Sequence, residues 1–263
     1  MLKVLVNGAF GRMGRAMGAG INSQEDMQVV AAVDVKGSGS DIGILYGCEP
    51  LGIVIEEDLS AAINRVKPDV VLEFTNAQAV MKSIRATLAL KTPCVVGSTG
   101  LGESDLAEIR ELAIKYNTPV FIAANFALGA VLMMRFSQEA AKYFPNIEII
   151  ERHHDNKLDA PSGTAGVTLE MMSGVREVFA QGAPNEFERI PGSRGGDYQG
   201  MRVHSIRLPG YLASQEVLFG GTGQVLTIRH DTINHNCFLP GVLLALRKVS
   251  TLKGLVCGLE NIM

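Results

Sequence analysis

The stretch Lys3-Val-Leu-Val-Asn7-Gly8-Ala-Phe-Gly11-Arg-Met-Gly14 decides the fold. A short apolar run ends at Asn7, glycines follow at positions 8, 11 and 14, and a helical pattern opens inside the turn. In such a strand–turn–helix the first glycine permits the bend. The second lets backbone N–H groups approach a pyrophosphate, and the third lets helix and strand pack closely. The positive end of the helix then favours phosphates. The spacing is Gly-x-x-Gly-x-x-Gly rather than the commoner Gly-x-Gly-x-x-Gly, and alone it suits an ordinary turn equally. Its context favours a dinucleotide. Asp34 closes the next apolar run 26 residues after Gly8, somewhat beyond the ~20 usual for an acid that binds the adenosine ribose hydroxyls. That carboxylate repels a 2′-phosphate and favours NAD, whereas Lys36 partly accommodates NADP. Cofactor preference stays open.

Outward from this turn, short β-branched runs recur at Gln28–Asp34, Asp69–Thr75, Thr92–Gly97 and Pro119–Ala123. They are continuously apolar rather than alternating, as in strands of a parallel sheet buried on both faces. Between them, Ala77–Leu90 and Asp105–Tyr116 carry helical spacing. An interval of about 25 residues matches repeated βαβ units. In Asp105–Tyr116, Leu106, Ile109, Leu112 and Ala113 share one face, and Asn117-Thr-Pro119 is a stop signal. Strand ends are where ligands of open parallel sheets gather. Gly97-Ser98-Thr99-Gly100 and Ala123-Ala124-Asn125-Phe126 sit there as candidate contacts for the nicotinamide half, although each also reads as plain turn chemistry.

From Ala127 the pattern changes to a helix reaching Tyr143, a strand at Ile147–Glu151 and a second helix near Thr164. Ile190–Gly196 reads as a long mobile loop. The runs Ala213–Phe219 and Gln224–His230 flank Gly220-Gly-Thr-Gly223, a hairpin signal, and a last helix covers Phe238 to about Val249. The expected architecture is α/β. A Rossmann-type parallel-sheet dinucleotide-binding domain spans 1–126 plus 236–263, and an α+β substrate-binding and oligomerisation domain spans 127–235.

Composition sets outer bounds. Across 263 residues, 24 Lys+Arg against 27 Asp+Glu leave a net charge of −3, which gives no footprint for nucleic acid. Apolar residues reach 47%, enough for a core, and no run approaches a membrane span. Cys48, Cys94, Cys237 and Cys257 are scattered without a Cys-x-x-Cys pair, which argues against zinc and against a disulfide framework. With no leader-like start, the expected setting is the cytoplasm.

The densest chemistry is Glu151-Arg-His153-His154-Asp-Asn-Lys157-Leu-Asp-Ala-Pro-Ser162-Gly163-Thr164. Metal binding is the rival reading of a His pair, but adjacent residues on an extended chain face opposite ways and no matching ligand pair is near. No metal is expected. Ser162, Gly163 and Thr164 at a helix start form a nest of donors suited to a carboxylate. Lys157 supplies a positive charge and a proton, and a histidine exchanges protons near neutral pH. Beside a nicotinamide, this set describes reduction of an unsaturated, anionic small molecule.

The forms GAFGRMG, GSTG, AANF and above all EIIERHHDNKLDAPSGTA (Glu148–Ala165) resemble the 4-hydroxy-tetrahydrodipicolinate reductase family, formerly called dihydrodipicolinate reductase. The resemblance runs the whole chain and includes QEVLFGG and LTIRHD. It implies that His153 is the proton donor/acceptor, Lys157 the second proton donor, and His154 with Gly163 and Thr164 the dicarboxylate site. Gly8, Ala9, Phe10, Gly11, Arg12, Met13, Asp34, Gly97–Thr99 and Ala123–Phe126 would hold NADH or NADPH. It further implies a homotetramer and the diaminopimelate route to lysine. Three positions depart from the family's habit: Val35 and His235 stand where arginine is common, and Ser214 where histidine often precedes the glutamine. Two rivals keep the nucleotide turn: an amino-acid dehydrogenase of similar type, and a non-catalytic nucleotide-sensing module. The second has no need of the His–Lys block.

Overall fold

Seven short strands make the first sheet because nearly every residue in them is apolar and none is exposed at the centre. The structure, a computed structural model, describes every residue from Met1 to Met263. The chain runs β1 (Leu2–Asn7), α1 (Arg12–Asn22), β2 (Met27–Val33), α2 (Ile42–Tyr46), β3 (Ile55–Glu56) and α3 (Leu59–Val66). It continues through β4 (Val70–Glu73), α4 (Val80–Ala89), β5 (Cys94–Val96), α5 (Glu103–Tyr116) and β6 (Val120–Ile122). Then come α6 (Leu128–Ala140), β7 (Asn146–His153), α7 (Gly163–Ser173), β8 (Gly196–Tyr198) and β9 (Met201–Arg207). β10 (Ala213–Gly221), β11 (Gln224–Thr232), α8 (Leu239–Lys248) and β12 (Leu255–Cys257) complete it. Two units result: Met1–Leu128 with His235–Met263, and Gly129–Asn234.

In the first unit the sheet order is β12-β6-β5-β4-β1-β2-β3, and every pairing is parallel. The order reverses at β1, which lies between β2 and β4, so a crevice opens at the carboxyl ends of β1 and β4. One face buries Leu5, Val33, Val71, Val96 and Ile122 under Ile63, Ile84, Leu88 and Ile109 of α3, α4 and α5. Each fully buried aliphatic side chain of this kind contributes about 1.5–3 kcal/mol. α5 begins at Glu103, two residues before the expected start, because the Asp105 carboxylate accepts from Gly102 N at 2.9 Å. It stops at Asn117, which takes the left-handed conformation at φ 48°. α4 begins at Val80 rather than Ala77, since the Asn76 carboxamide holds Gln78 N and Ala79 N in a turn at 2.9 and 3.1 Å.

The second unit carries a mixed five-stranded sheet, β11-β10-β7-β9-β8, in which only β7–β9 is parallel. Ile147 and Ile149 of β7, with Val217 and Phe219 of β10, pack on Ala165, Leu169 and Met172 of α7. The hairpin strands extend further than expected: Gly221 pairs with Gln224, leaving only Thr222-Gly223 in the turn, with Gly223 at φ 72°. The stretch read as a mobile loop is tied down. Glu188 accepts from Gly192 N at 2.7 Å and Arg194 N at 2.8 Å, while Arg194 donates to Glu186 at 2.9 Å. No helix is long and apolar enough to cross a membrane.

Candidate active site

The glycine turn uses its backbone groups unequally. Gly8 N and Ala9 N both donate to Val33 O, at 2.8 and 3.1 Å, which fastens the turn to β2. Phe10 N donates to the Asp34 carboxylate at 3.0 Å, and Lys36 N donates to its other oxygen at 2.9 Å. The first bond closing a full turn of α1 is Arg15 N to Gly11 O, at 3.0 Å, so the N–H groups of Arg12, Met13 and Gly14 open the helix without a partner inside it. Gly8 sits at φ 84°, and a Cβ there would strike the Phe74 carbonyl; a Cβ on Gly14 would strike the Gly8 carbonyl. A Cβ on Gly11 meets only Gly8 O, at 3.2 Å, and otherwise fills the approach to the helix end. A cavity of about 860 Å³ lies over this turn, lined by Gly8, Gly11, Arg12, Asp34 and Lys36 among others. Its size, free N–H donors and ribose-side carboxylate fit a dinucleotide.

At the floor of that crevice Glu73 is fully buried. It accepts from the Asn7 carboxamide, from Thr75 N at 2.9 Å and from the Thr75 hydroxyl. Ser98 adds a bond at 3.3 Å. Burial pushes its carboxyl above the usual range, and hydrogen bonds from Thr75, Asn7 and Ser83 partly offset the rise. Ser98 therefore points inward, whereas Thr99 is exposed. Asn125 is likewise engaged locally, accepting from Ala127 N at 2.9 Å, and Phe126 is buried between Phe74 and Phe121. At these three positions the side chains are engaged within the strand ends. Val35 is 82% exposed and Lys36 is exposed.

In the second unit the period-two alternation of β7 places Ile147, Ile149, Glu151 and His153 on one face. The first two join the core under α7, and the last two carry that face to the strand end. Glu151 is fully buried and lies 2.5 Å from His153 Nδ1. Arg207 of β9 grips it with two bonds, at 3.0 and 2.8 Å. The same guanidinium donates to Asp159 O at 2.6 Å, and the Asp159 carboxylate holds Lys157 Nζ at 2.7 and 2.9 Å. Arg207 thus connects the imidazole and the ammonium through two carboxylate residues. His154, just past the strand, is exposed. Ser162 is buried and caps α7, accepting from Ala165 N at 3.3 Å, so its hydroxyl is committed to the helix start. Gly163 is exposed, with open space around it, and Thr164 is half-buried. No group of three or more His, Cys, Asp or Glu side chains is arranged to hold a metal ion.

Burial alone would raise the Glu151 carboxyl, but hydrogen bonds from His153, Arg207 and Ser205 overcome it and hold it at about 2, against an ordinary 4.5. A carboxyl depressed on folding stabilises the native state above its ordinary value, and the contribution drains away as pH falls toward 2. The span corresponds to on the order of 3 kcal/mol. Glu151→Gln lacks this contribution at every pH. The gap in thermal midpoint between wild type and variant is therefore expected to be wide at pH 7 and to narrow steadily below pH 4.5. A gap that stays constant down to pH 2.5 would contradict the ion-paired carboxylate.

Two participants, Glu151 and Arg207, carried no assigned role in the sequence. Glu151 was legible in principle, being two residues before His153 on a strand. Arg207 is harder to find, because the alternation in Met201–Arg207 breaks at His204-Ser205 and leaves only three apolar residues to mark a strand. Of the departures from family habit, Ser214 is buried with a hydroxyl lacking a partner, and His235 opens a short 3₁₀ turn. Nothing in the structure explains the choice of serine.

Residues 2–126 match the family model for the N-terminus of dihydrodipicolinate reductase, and residues 129–263 match the one for its C-terminus. The chain is 54% identical to the 4-hydroxy-tetrahydrodipicolinate reductase of Desulfitobacterium hafniense over 99% of its own length and 98% of that protein. Identity to the same enzyme from Moorella thermoacetica is 49%, over 100% and 98%. A solved dipicolinate-bound dihydrodipicolinate reductase from Paenisporosarcina sp. TG-14 superposes with TM-score 0.89 at 42% identity, covering both chains completely. An amine dehydrogenase from Mycobacterium smegmatis, at 13% identity and TM-score 0.67, shares the fold alone. The chain belongs to the dihydrodipicolinate reductase family.

Proposed function

We propose that this protein is an NAD(P)H-dependent reductase that converts 4-hydroxy-tetrahydrodipicolinate to tetrahydrodipicolinate with loss of water, in the diaminopimelate route to lysine. The observation that carries the reading is the linked set His153–Glu151–Arg207–Asp159–Lys157, which leads in sequence into the Ser162-capped start of α7. An acid–base ring, an ammonium and helix-start N–H donors are what a dicarboxylate that must gain a proton requires. The bound nicotinamide would supply the hydride. Arg12 N, Met13 N and Gly14 N would hold its pyrophosphate, and Asp34 with Lys36 would meet its adenosine ribose. The turns at Gly97–Thr99 and Ala123–Phe126 would border the nicotinamide half through backbone groups.

The substrate carboxylates would be taken by Gly163 N, Thr164 and His154, with Lys157 neutralising charge. Lys157 and His153 would deliver protons, while Ser162 keeps the helix start in shape. Family membership supports extending the reading to a homotetramer working in the cytoplasm. Neither an amino-acid dehydrogenase nor a nucleotide-sensing module needs this set.

Pyridine-2,6-dicarboxylate, a planar mimic of the ring, tests the reading. Titrated into the nicotinamide-loaded protein, it is expected to bind and to inhibit competitively. Absence of binding, together with turnover of an aliphatic amino acid, would overturn the proposal. Gly163→Ala sharpens the test. A Cβ there meets nothing within 4 Å, so stability is expected to change by less than about 1 kcal/mol. The methyl would nevertheless stand where a carboxylate approaches the helix end, and the dicarboxylate is expected to bind at least ~10-fold more weakly. Unchanged affinity would remove Gly163 from the site.

A further inference from the structure

We infer that Glu151 is a positioning residue for the reaction, fixing the proton of the neutral His153 ring on Nδ1 so that Nε2 is the atom that exchanges protons with substrate. The inference rests on the reading of His153 as an acid–base group and adds the residue that aims it.

The geometry leaves little freedom. Oε2 of Glu151 lies 2.5 Å from Nδ1 and also accepts from Arg207 Nη1 at 3.0 Å, while Oε1 accepts from Arg207 Nη2 at 2.8 Å. A carboxylate held ionised by a bidentate guanidinium has no proton to give, so Nδ1 must be the donor. Its depressed pKa agrees. The charged groups packed around the ring on this face are Glu151 from its own strand and Arg207 from β9. Asp159 and Lys157 come from the following turn. The neighbour on β10 is Ala213, and the nearest polar group there, Gln215 opposite Glu151, donates to Thr168 of α7 at 2.9 Å. Glu151 is the one group of the sheet hydrogen-bonded to Nδ1; Ser205 of β9 shares the same carboxylate, and Gln215 Oε1 is buried without a partner. A buried carboxylate that orients an imidazole in this way serves its tautomer and direction rather than receiving the proton itself.

The wild-type protein provides the first test and needs no variant. In ¹⁵N NMR of histidine-labelled protein at alkaline pH, the His153 ring is expected as the Nδ1–H tautomer. An Nε2–H ring overturns the inference. The second test removes the anchor. Glu151→Met alone would strand the Arg207 charge and endanger the fold, so the variant is Glu151→Met/Arg207→Met, which removes both charges together.

This double variant is expected to keep its circular dichroism spectrum and to shift the ring toward Nε2–H. Its kcat should fall about 10- to 100-fold, short of the ~10²–10⁴ for loss of the acid itself. KM should stay within about threefold. A folded double variant with normal kcat overturns the inference. His153→Gln then separates the causes. If it too turns over normally, the acid–base reading of His153 has failed; if it is impaired, only the positioning role has.

Discussion

Replacing Lys157 by methionine is expected to lower kcat by about 10²- to 10⁴-fold, the usual result of removing a positioned proton donor. Methionine keeps the length and the apolar stem while removing the charge. The Lys157 side chain is only 22% exposed, and its amine is fixed by both oxygens of Asp159. That hydrogen bond in turn lowers the Asp159 carboxyl below its ordinary range. The ammonium is thus part of a built arrangement, continuous with Arg207 and Glu151, rather than a solvated surface charge. Lys157→Arg separates its two tasks. An arginine preserves the positive charge for a substrate carboxylate but does not release a proton at any working pH. KM is expected to remain near wild type in Lys157→Arg while kcat falls nearly as far as in Lys157→Met. Full activity in the arginine variant would limit Lys157 to charge neutralisation.

The second large effect is at the glycine turn. Gly8→Ala is expected to lower the thermal midpoint by roughly 5–15 °C. A left-handed alanine costs about 1–2 kcal/mol. Forcing its methyl into the Phe74 carbonyl adds about 1–3 kcal/mol. Gly11→Ala makes the contrast. Gly11 has ordinary extended backbone, φ −65° and ψ 161°, and its Cβ meets only Gly8 O, at 3.2 Å. The fold should tolerate it with a shift of no more than about 2–4 °C. Its methyl would stand where a pyrophosphate meets the helix end, so nicotinamide affinity should drop at least ~10-fold. Equal behaviour of the two variants would mean that the turn is structural only.

The first unit was legible because its strands are buried on both faces and announce themselves as continuous apolar runs between helical periods. What escaped was short or hybrid. β3 has only two residues, and β12, no shorter than β5 or β6, is an edge strand with no fully buried residue; both gain their place from the parallel neighbours they extend. β9 carries Arg202, His204 and Arg207 among apolar residues, and the hidden strand took Arg207 with it.

Candidate site residues divide along a similar line. The His–Lys block and the helix start were readable from residue type and order. Which way a small side chain turns at a strand end was not. Ser98 and Asn125 face their own backbone or a buried carboxylate, and Ser162 serves the helix cap. The composition of a turn is the same whether its hydroxyl points at a ligand or inward, so only coordinates distinguish them.

Turnover itself is the most direct measurement. The purified 263-residue chain is supplied with 4-hydroxy-tetrahydrodipicolinate generated in situ from pyruvate and aspartate semialdehyde, and oxidation of NADH and of NADPH is followed separately. Substrate-dependent oxidation of at least one cofactor, abolished by pyridine-2,6-dicarboxylate, is the expected result. No oxidation of either cofactor by a folded, nucleotide-binding protein would contradict the assignment.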